Sequence, residues 1–239
     1  MAEEERYSRN MKMLSPEENG RLRQTCVAVV GCGGLGGGII EMLGRLGVGK
    51  IIAVDGDVFE ASNLNRQLLS HTKNMGQGKA KAAVERMALV NPDVEVKAEQ
   101  QLLTAENAPE LLAGAQVIVD AVDRIGTRLM LQQVAETMAL PLVHGAIGGW
   151  YGQVTTILPG DKTLDVIYAG ADNQGIERDL GNPSFTPALV GAAQVSEVLK
   201  LLINRGTLLR HRMLYIDLFE QEYTVLNLGE APDAGGSTK

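Results

Sequence analysis

Residues 27–36 read Val-Ala-Val-Val-Gly-Cys-Gly-Gly-Leu-Gly, and the reading of the whole chain starts there. Val27–Val30 is a short apolar run of the kind that forms a buried strand. The glycines that follow, Gly31, Gly33 and Gly36, stand at G-x-G-x-x-G spacing, and a helical pattern opens at once behind them. Strand, glycine loop and helix together are the setting in which this spacing means a phosphate-binding turn. The first glycine permits the tight turn, the second lets backbone approach a phosphate, and the third lets the helix pack on the sheet. Backbone N–H groups of Gly31, Gly33, Gly34, Leu35 and Gly36, with the helix dipole behind them, then favour a bound anion. Asp55 ends the next apolar run, 19 positions after Gly36. A carboxylate there can accept hydrogen bonds from ribose hydroxyls.

Outward from the loop the pattern repeats. A helix is expected from Gly37 to Leu46, with Ile39, Ile40, Leu43 and Leu46 on one face, closed by Gly47 and Gly49. Ile51–Val54 is the next strand. Residues 58–76 lack clean periodicity and read as a long functional segment. A helix over Lys79–Val90 is stopped by Asn91-Pro92. Strands are expected at Val94–Lys97, Val117–Ala121 and Pro141–His144, and helices at Ala105–Leu112 and Arg128–Met138. Strands alternating with helices indicate a doubly wound parallel sheet. Tyr151–Leu158 alternates close behind the fifth strand, so a hairpin is expected. Ala188–Ile203 is a helix, and Met213–Phe219 and Glu222–Leu228 are two antiparallel strands. Ser15-Pro16-Glu17-Glu18 is a helix start, in an N-terminal helical arm over residues 1–25. Residues 159–185 read as a crossover loop and 230–239 as a disordered tail; its Ala-Gly-Gly is followed by Ser-Thr-Lys and presents no terminal diglycine. The expectation is one Rossmann-like α/β domain over residues 1–229, with a mixed sheet of about eight strands, parallel first and antiparallel at the end.

Composition narrows the function. The chain has 239 residues, and 22 Lys+Arg against 29 Asp+Glu give a net charge of −7. Nucleic-acid wrapping needs a broad basic face and is disfavoured. Ten of the 28 glycines fall between Gly31 and Gly56, so glycine serves a local structure and not a linker. Two cysteines, Cys26 and Cys32, make neither a disulfide scaffold nor a four-cysteine zinc site. The start is acidic and lacks the apolar run of a signal peptide. Polar Gln194, Ser196, Glu197 and Lys200 interrupt 186–203, the most apolar stretch. A cytoplasmic protein with no membrane partner is expected.

The glycine loop alone leaves the nucleotide open, with NAD as the default. The segment behind Asp55 argues for ATP. It holds Asp57, Asn63, Arg66 and Gln67, then Gly78-Lys79. A dehydrogenase has no need of Arg and Lys together beside the ribose-binding strand. Cleavage of a triphosphate develops negative charge on the leaving diphosphate, and fixed cations stabilise it where it develops. A metal ion bridging phosphate oxygens needs a carboxylate. Asp120 and Asp123 follow the fourth strand, where an open α/β sheet forms its crevice. Asp120 alternatively caps the helix behind it.

With these residues the chain resembles the ThiF/MoeB/HesA superfamily, bacterial relatives of the ubiquitin-activating enzymes. The motifs are Arg6-Tyr7-Ser8-Arg9, Gly31 to Gly36, Asp55-Gly-Asp57, Ser62-Asn63-Leu64-Asn65-Arg66-Gln67, Gly78-Lys79, Asn91-Pro92 and Asp120-Ala-Val-Asp123, covering about residues 6 to 228. The resemblance implies that Asp55 holds the ribose, that Asp57 and Asn63 shape the nucleotide pocket with Gln67 beside them, and that Arg66 and Lys79 grip the triphosphate. It implies magnesium on Asp123. It also implies a homodimer in which Arg9 reaches the phosphates of the neighbouring subunit. The implied reaction is adenylation: a carboxylate attacks the α-phosphate of ATP and pyrophosphate leaves. In many relatives the carboxylate is the C-terminal glycine of a small ubiquitin-like sulfur carrier of the ThiS/MoaD kind, ending in diglycine.

The chain departs from that pattern in three places. Many relatives hold a structural zinc on two Cys-x-x-Cys pairs; this chain has neither, and no zinc is expected. Some use a cysteine in the crossover loop to handle the carrier covalently; residues 159–185 contain none, so activity is expected to stop at the acyl-adenylate. Arg124 stands where the family commonly has Asn, while Arg128 matches. His144 reads as a satisfied core histidine with no partner identifiable from sequence. Trp150 and Tyr151 are candidates for an acceptor groove. Alternatives are adenylation of a small-molecule or peptide carboxylate, an NAD-dependent oxidoreductase, and a catalytically silent binding module.

Overall fold

A computed structural model describes residues 5–171 and 180–229. Its elements run α1 (Pro16–Leu22), β1 (Cys26–Val30), α2 (Gly34–Leu46), β2 (Lys50–Val54), a 3-10 turn (Ala61–Asn63), α3 (Lys79–Val90), β3 (Glu95–Glu99) and α4 (Ala108–Leu111). After these come β4 (Val117–Asp120), α5 (Ile125–Thr137), β5 (Leu142–Gly148), β6 (Tyr151–Ile157), α6 (Thr163–Ile167), α7 (Phe185–Ile203), β7 (Arg212–Asp217) and β8 (Glu222–Asn227).

The strands form one eight-stranded sheet in the order β3-β2-β1-β4-β5-β6-β7-β8. The first five pair in parallel, and β5 to β8 pair antiparallel. This is the mixed sheet expected from the sequence. The central strand β1 is buried at every position, as a parallel strand covered on both faces must be. Its alternation divides the core. Val27 and Val29 face a cluster with Ile39, Ile40 and Leu43 of α2 and Val190 and Val198 of α7. Cys26, Ala28 and Val30 face a second cluster with Leu111, Leu131 and Leu164 of α4, α5 and α6. At the other end β8 is exposed along its whole length.

The differences from expectation lie at element ends. α2 starts at Gly34 instead of Gly37, because a run of glycines carries helical backbone without apolar periodicity. α7 starts at Phe185 instead of Ala188. Pro187 lies in its first turn, where the missing N–H would have no partner in the helix anyway. Inside the expected 159–185 loop, α6 forms because Gln132 holds both its backbone and its side chains. The Leu164 N–H donates to Gln132 Oε1 at 2.7 Å, and Gln132 Nε2 donates to Asp165 at 2.7 Å. Five residues are too few for a periodic signal. The rest of that loop over 172–179, and the tail expected at 230–239, lie outside the described residues. α7 is long and apolar enough by composition to cross a membrane, but 56% of that window is buried inside the protein. It is a core helix packed on α2, β5 and β6.

Candidate functional site

The carboxyl ends of β1, β2, β3 and β4 surround one cavity of about 440 Å³. Gly31, Gly33, Gly34 and Leu35 form one wall, Asp55 and Asp57 the next, and Arg66, Gln67, Lys79 and Asp123 complete it. Residues from five separate stretches of sequence therefore converge on the N-terminus of α2.

The loop is built for close approach. Gly31 has φ +93°, a conformation that costs other residues strain. Gly36 does not line the cavity; it is the point at which α2 crosses back against Gly31. The expectation that Gly36 contacts the ligand becomes a packing role. Asp55 braces the loop from β2. Its Oδ2 accepts the Cys32 N–H at 2.7 Å, and its Oδ1 accepts the Asp57 N–H at 2.8 Å. Burial pushes its carboxyl up, and these two N–H bonds oppose the shift. Each oxygen keeps a further lone pair for a ribose hydroxyl. Cys32 is fully buried, and burial, with the Asp55 charge beside it, drives its thiol well above the ordinary range. Cys26 is also buried and raised by burial. Neither is an activated nucleophile.

Two cations face the loop. Lys79 opens α3, its side chain 10% exposed, with Nζ 3.3 Å from Asp57 Oδ2. Arg66 lies over Gly34, where an added Cβ would meet its side chain at 3.5 Å. Its Nη1 donates to the Ser62 carbonyl at 3.1 Å and to Asn65 Oδ1 at 2.8 Å. Gln67 sits against Gly33, and its Oε1 is buried with no partner in the protein, an acceptor left for a ligand or water. Asn63 is not on the cavity wall. Its Oδ1 accepts the Glu60 N–H at 3.0 Å and closes the turn that aims Arg66, so it acts on the pocket from behind.

The two candidate carboxylates after β4 separate completely. Asp123 is exposed into the cavity. Asp120 is fully buried, is neither a metal ligand nor the cap of α5, and pairs with His144 of β5 at 2.6 Å. The reading of Asp120 as a second metal carboxylate is corrected accordingly. Among the described residues no three His, Cys, Asp or Glu side chains converge to hold a metal. The single carboxylate of Asp123, beyond β4, suits an ion such as Mg2+, which takes most of its ligands from water and substrate phosphates. Arg124 occupies the cap position of α5 and lines the cavity.

Arg9 does not line the cavity of its own chain. It lies exposed on the N-terminal arm, which is fastened through its neighbours: Asn91 Nδ2 donates to Tyr7 Oη at 2.7 Å and to the Gly44 carbonyl at 2.7 Å. Arg6 bonds both Asn91 and Asp93. Trp150 and Tyr151 also lie outside the cavity. They belong to an exposed aromatic strip where Trp150 packs on Phe185 and Phe219 at ring distances of 4.7 and 5.8 Å. Sequence reasoning missed Gln101–Thr104, Thr127 and Asn182 on the cavity wall. The first group follows β3, and the rule that crevices form beyond parallel strand ends points to it.

Comparison with known proteins places these features in context. The model of the ThiF family matches residues 7–236. The chain is 37% identical over 234 residues to the SAMP-activating enzyme E1 of Haloferax volcanii, spanning 96% of this chain and 87% of that protein. It is 34% identical to the sulfur carrier protein adenylyltransferase of Thermus thermophilus, over 95% of this chain and 88% of the relative. Among solved structures, Escherichia coli MccB superposes with a TM-score of 0.82 at 20% identity, over 96% of this chain and 71% of MccB. That likeness concerns the fold.

Proposed function

The chain belongs to the ThiF family, and from that premise we propose that it adenylates the C-terminal glycine carboxylate of a small ubiquitin-like sulfur-carrier protein at the expense of ATP. The observation that carries this reading is the convergence of the glycine loop, Arg66, Lys79 and Asp123 on one cavity. The likeness to a SAMP-activating enzyme at 37% identity and to a sulfur carrier protein adenylyltransferase at 34%, each over nearly the whole chain, supports it.

In this reading the phosphates lie on the N-terminus of α2, where the helix dipole favours an anion, and Asp55 holds the ribose; the Gly31 N–H, bonded to the Val54 carbonyl at 2.8 Å, takes no part. A carrier carboxylate is already ionised at neutral pH, so no general base is required. Its oxygen attacks the α-phosphorus, the bond from that phosphorus to the bridging oxygen breaks, and pyrophosphate departs with the electron pair. Arg66 and Lys79 hold the charge that develops on the departing group. Asp57 keeps the Lys79 ammonium at the cavity wall until phosphate replaces it. Asp123 would hold Mg2+, which would supply charge neutralisation at the phosphates. The remaining catalysis is positioning. Arg9 would serve the cavity of a second subunit in a homodimer, on the arm that Asn91 anchors.

The carrier tail would enter from the exposed aromatic strip at Trp150, Tyr151 and Phe185. Asn182, close to Phe185 in sequence, lines the cavity and accepts a hydrogen bond from Asn65 at 2.9 Å, which connects the strip to the Arg66 segment. With two buried thiols as its only cysteines, the chain has no zinc site and no covalent carrier step in this scheme. Residues 1–229 act as one catalytic unit, in the ATP-supplied cytoplasm. Exchange of labelled pyrophosphate into ATP tests the reading, with candidate diglycine-tailed proteins and truncated controls as acceptors. Exchange that needs the intact tail supports it. Tight NAD binding without ATP affinity, or no exchange with any diglycine tail, overturns it.

A further inference from the structure

Behind the cavity lies a buried polar ring that the adenylation reading leaves without a role. Asp120 and His144 are register partners on β4 and β5 and are both fully buried. A carboxylate only accepts, so His144 Nδ1 carries a proton and donates it to Asp120 Oδ2 at 2.6 Å. Burial holds the imidazole below its ordinary range and so neutral, which makes Nε2 an acceptor. Tyr168, just past α6, stands 3.1 Å from Nε2. The Tyr168 hydroxyl accepts from Arg128 Nη1 at 3.0 Å and from Gln153 Nε2 at 3.0 Å. Its own hydrogen is therefore the one given to His144.

The ring closes on a single residue, Val122. Arg128 Nε and Nη2 both donate to the Val122 carbonyl, at 3.2 and 3.0 Å. The Val122 N–H donates to Asp120 Oδ1 at 3.0 Å. Gln194 Nε2 adds a bond to the Asp120 carbonyl at 2.8 Å. Val122 is thus gripped by both its N–H and its C=O, and the next residue is Asp123.

We propose that His144 is a positioning residue for metal-nucleotide binding, acting through Asp120 on one side and through Tyr168 and Arg128 on the other to set the backbone on both sides of Val122 and with it the Asp123 carboxylate. The inference rests on the reading of Asp123 as the magnesium carboxylate and deepens it. Two physical arguments favour it. A buried hydrogen-bonded polar group contributes little net stability against apolar packing of the same shape, so bulk stability alone does not account for the ring. Magnesium demands near-ideal octahedral geometry at about 2.0–2.1 Å, so the carboxylate that meets it must not drift. Outer partners that orient metal ligands typically contribute about 10–100-fold in affinity.

The test measures Mn2+ affinity by electron paramagnetic resonance on the full chain with a non-hydrolysable ATP analogue, beside the affinity of the metal-free analogue. His144→Ala should weaken Mn2+ binding by about 10–100-fold while metal-free nucleotide binding stays within about twofold. His144→Asn places an amide N–H where Nδ1 stood and should recover most of the loss. Tyr168→Phe, which removes one hydroxyl, should shift affinity in the same direction by less and carries the test if His144→Ala does not fold. Equal loss of metal-free and metal-bound nucleotide would mean a general structural role and overturn the proposal. Unchanged Mn2+ affinity in His144→Ala and Tyr168→Phe, with Asp123→Asn still weakening it, overturns the positioning role and leaves the adenylation reading intact. Unchanged affinity in Asp123→Asn removes the premise itself.

Discussion

The carbonyl oxygen of Gly31 stands where a side chain on Gly36 would begin: an added Cβ would lie 1.7 Å from it, with Ala121 Cβ 3.3 Å away on the other side. The contact is backbone against backbone, so neither partner can rotate out of the way. The helix that presents its N-terminus to the cavity is seated by this contact.

Gly36→Ala should therefore unseat α2 and with it the anion site. A loss of about 2–4 kcal/mol in unfolding free energy is expected, in the range of severe core overpacking. ATP affinity should fall in parallel. Denaturant titration and calorimetry check the two together. Gly38→Ala is the control, because nothing lies within 4 Å of a Cβ there.

Lys79→Ala should separate catalysis from stability. Asp57 is left behind with its side chain 69% exposed, so water solvates it and stability should change by about 1 kcal/mol or less. Pyrophosphate exchange should fall by about 10²–10³-fold, the usual effect of removing one fixed charge-stabilising donor. Lys79→Arg should recover only part of this, since a planar fork does not replace a compact ammonium.

Asp123→Ala should abolish pyrophosphate exchange, by about 10²-fold or more, with no loss of thermal stability, because the side chain is exposed. Asp120→Ala should differ by losing stability as well. It strands His144 Nδ1 and the Val122 N–H in the interior, which costs about 1–3 kcal/mol for each unsatisfied group. Comparing melting temperature with exchange rate in the two variants distinguishes the two aspartates.

Arg9 gives a prediction that only an assembly can satisfy. Arg9→Ala and Asp123→Ala should each be inactive alone. Mixed, unfolded and refolded together, they should regain about a quarter of wild-type activity, since half the symmetric dimers are mixed and each mixed dimer has one complete site. No recovery would mean that Arg9 does not serve a neighbouring subunit.

The pH dependence of stability carries a sign. Burial lowers the His144 pKa from 6.5 in the folded chain, so the unfolded chain binds this proton first as pH falls. Stability is then present above about pH 6.5 and declines as pH drops from there toward the folded value. His144→Asn cannot take up the proton. The stability advantage of the wild type over His144→Asn should shrink between pH 7.5 and 5.5, measured by denaturant titration at each pH.

Local pattern determined a large part of this protein. The strand, glycine loop and helix from Val27 to Leu46, the helix over Lys79–Val90 with its Asn91-Pro92 stop, and the switch from alternating α/β to antiparallel strands after His144 are all legible in sequence. Each rests on interactions a few residues long: apolar periodicity, turn chemistry, helix stops. The grouping of Arg66, Lys79 and Asp123 as one charged set is legible too, because phosphate chemistry requires such a set beside a glycine loop. What the tertiary structure alone decided is the role of the other aspartate, three residues before Asp123. Asp120 is the last residue of β4 and lies opposite His144 on β5, so strand register turns it inward to the imidazole. Asp123 lies beyond the strand and turns to the phosphates. Asn63 aims Arg66 from behind, and Tyr7 holds the arm that carries Arg9, for the same reason. Each of these partnerships is a contact made across strands and turns, and the chain's order does not contain it.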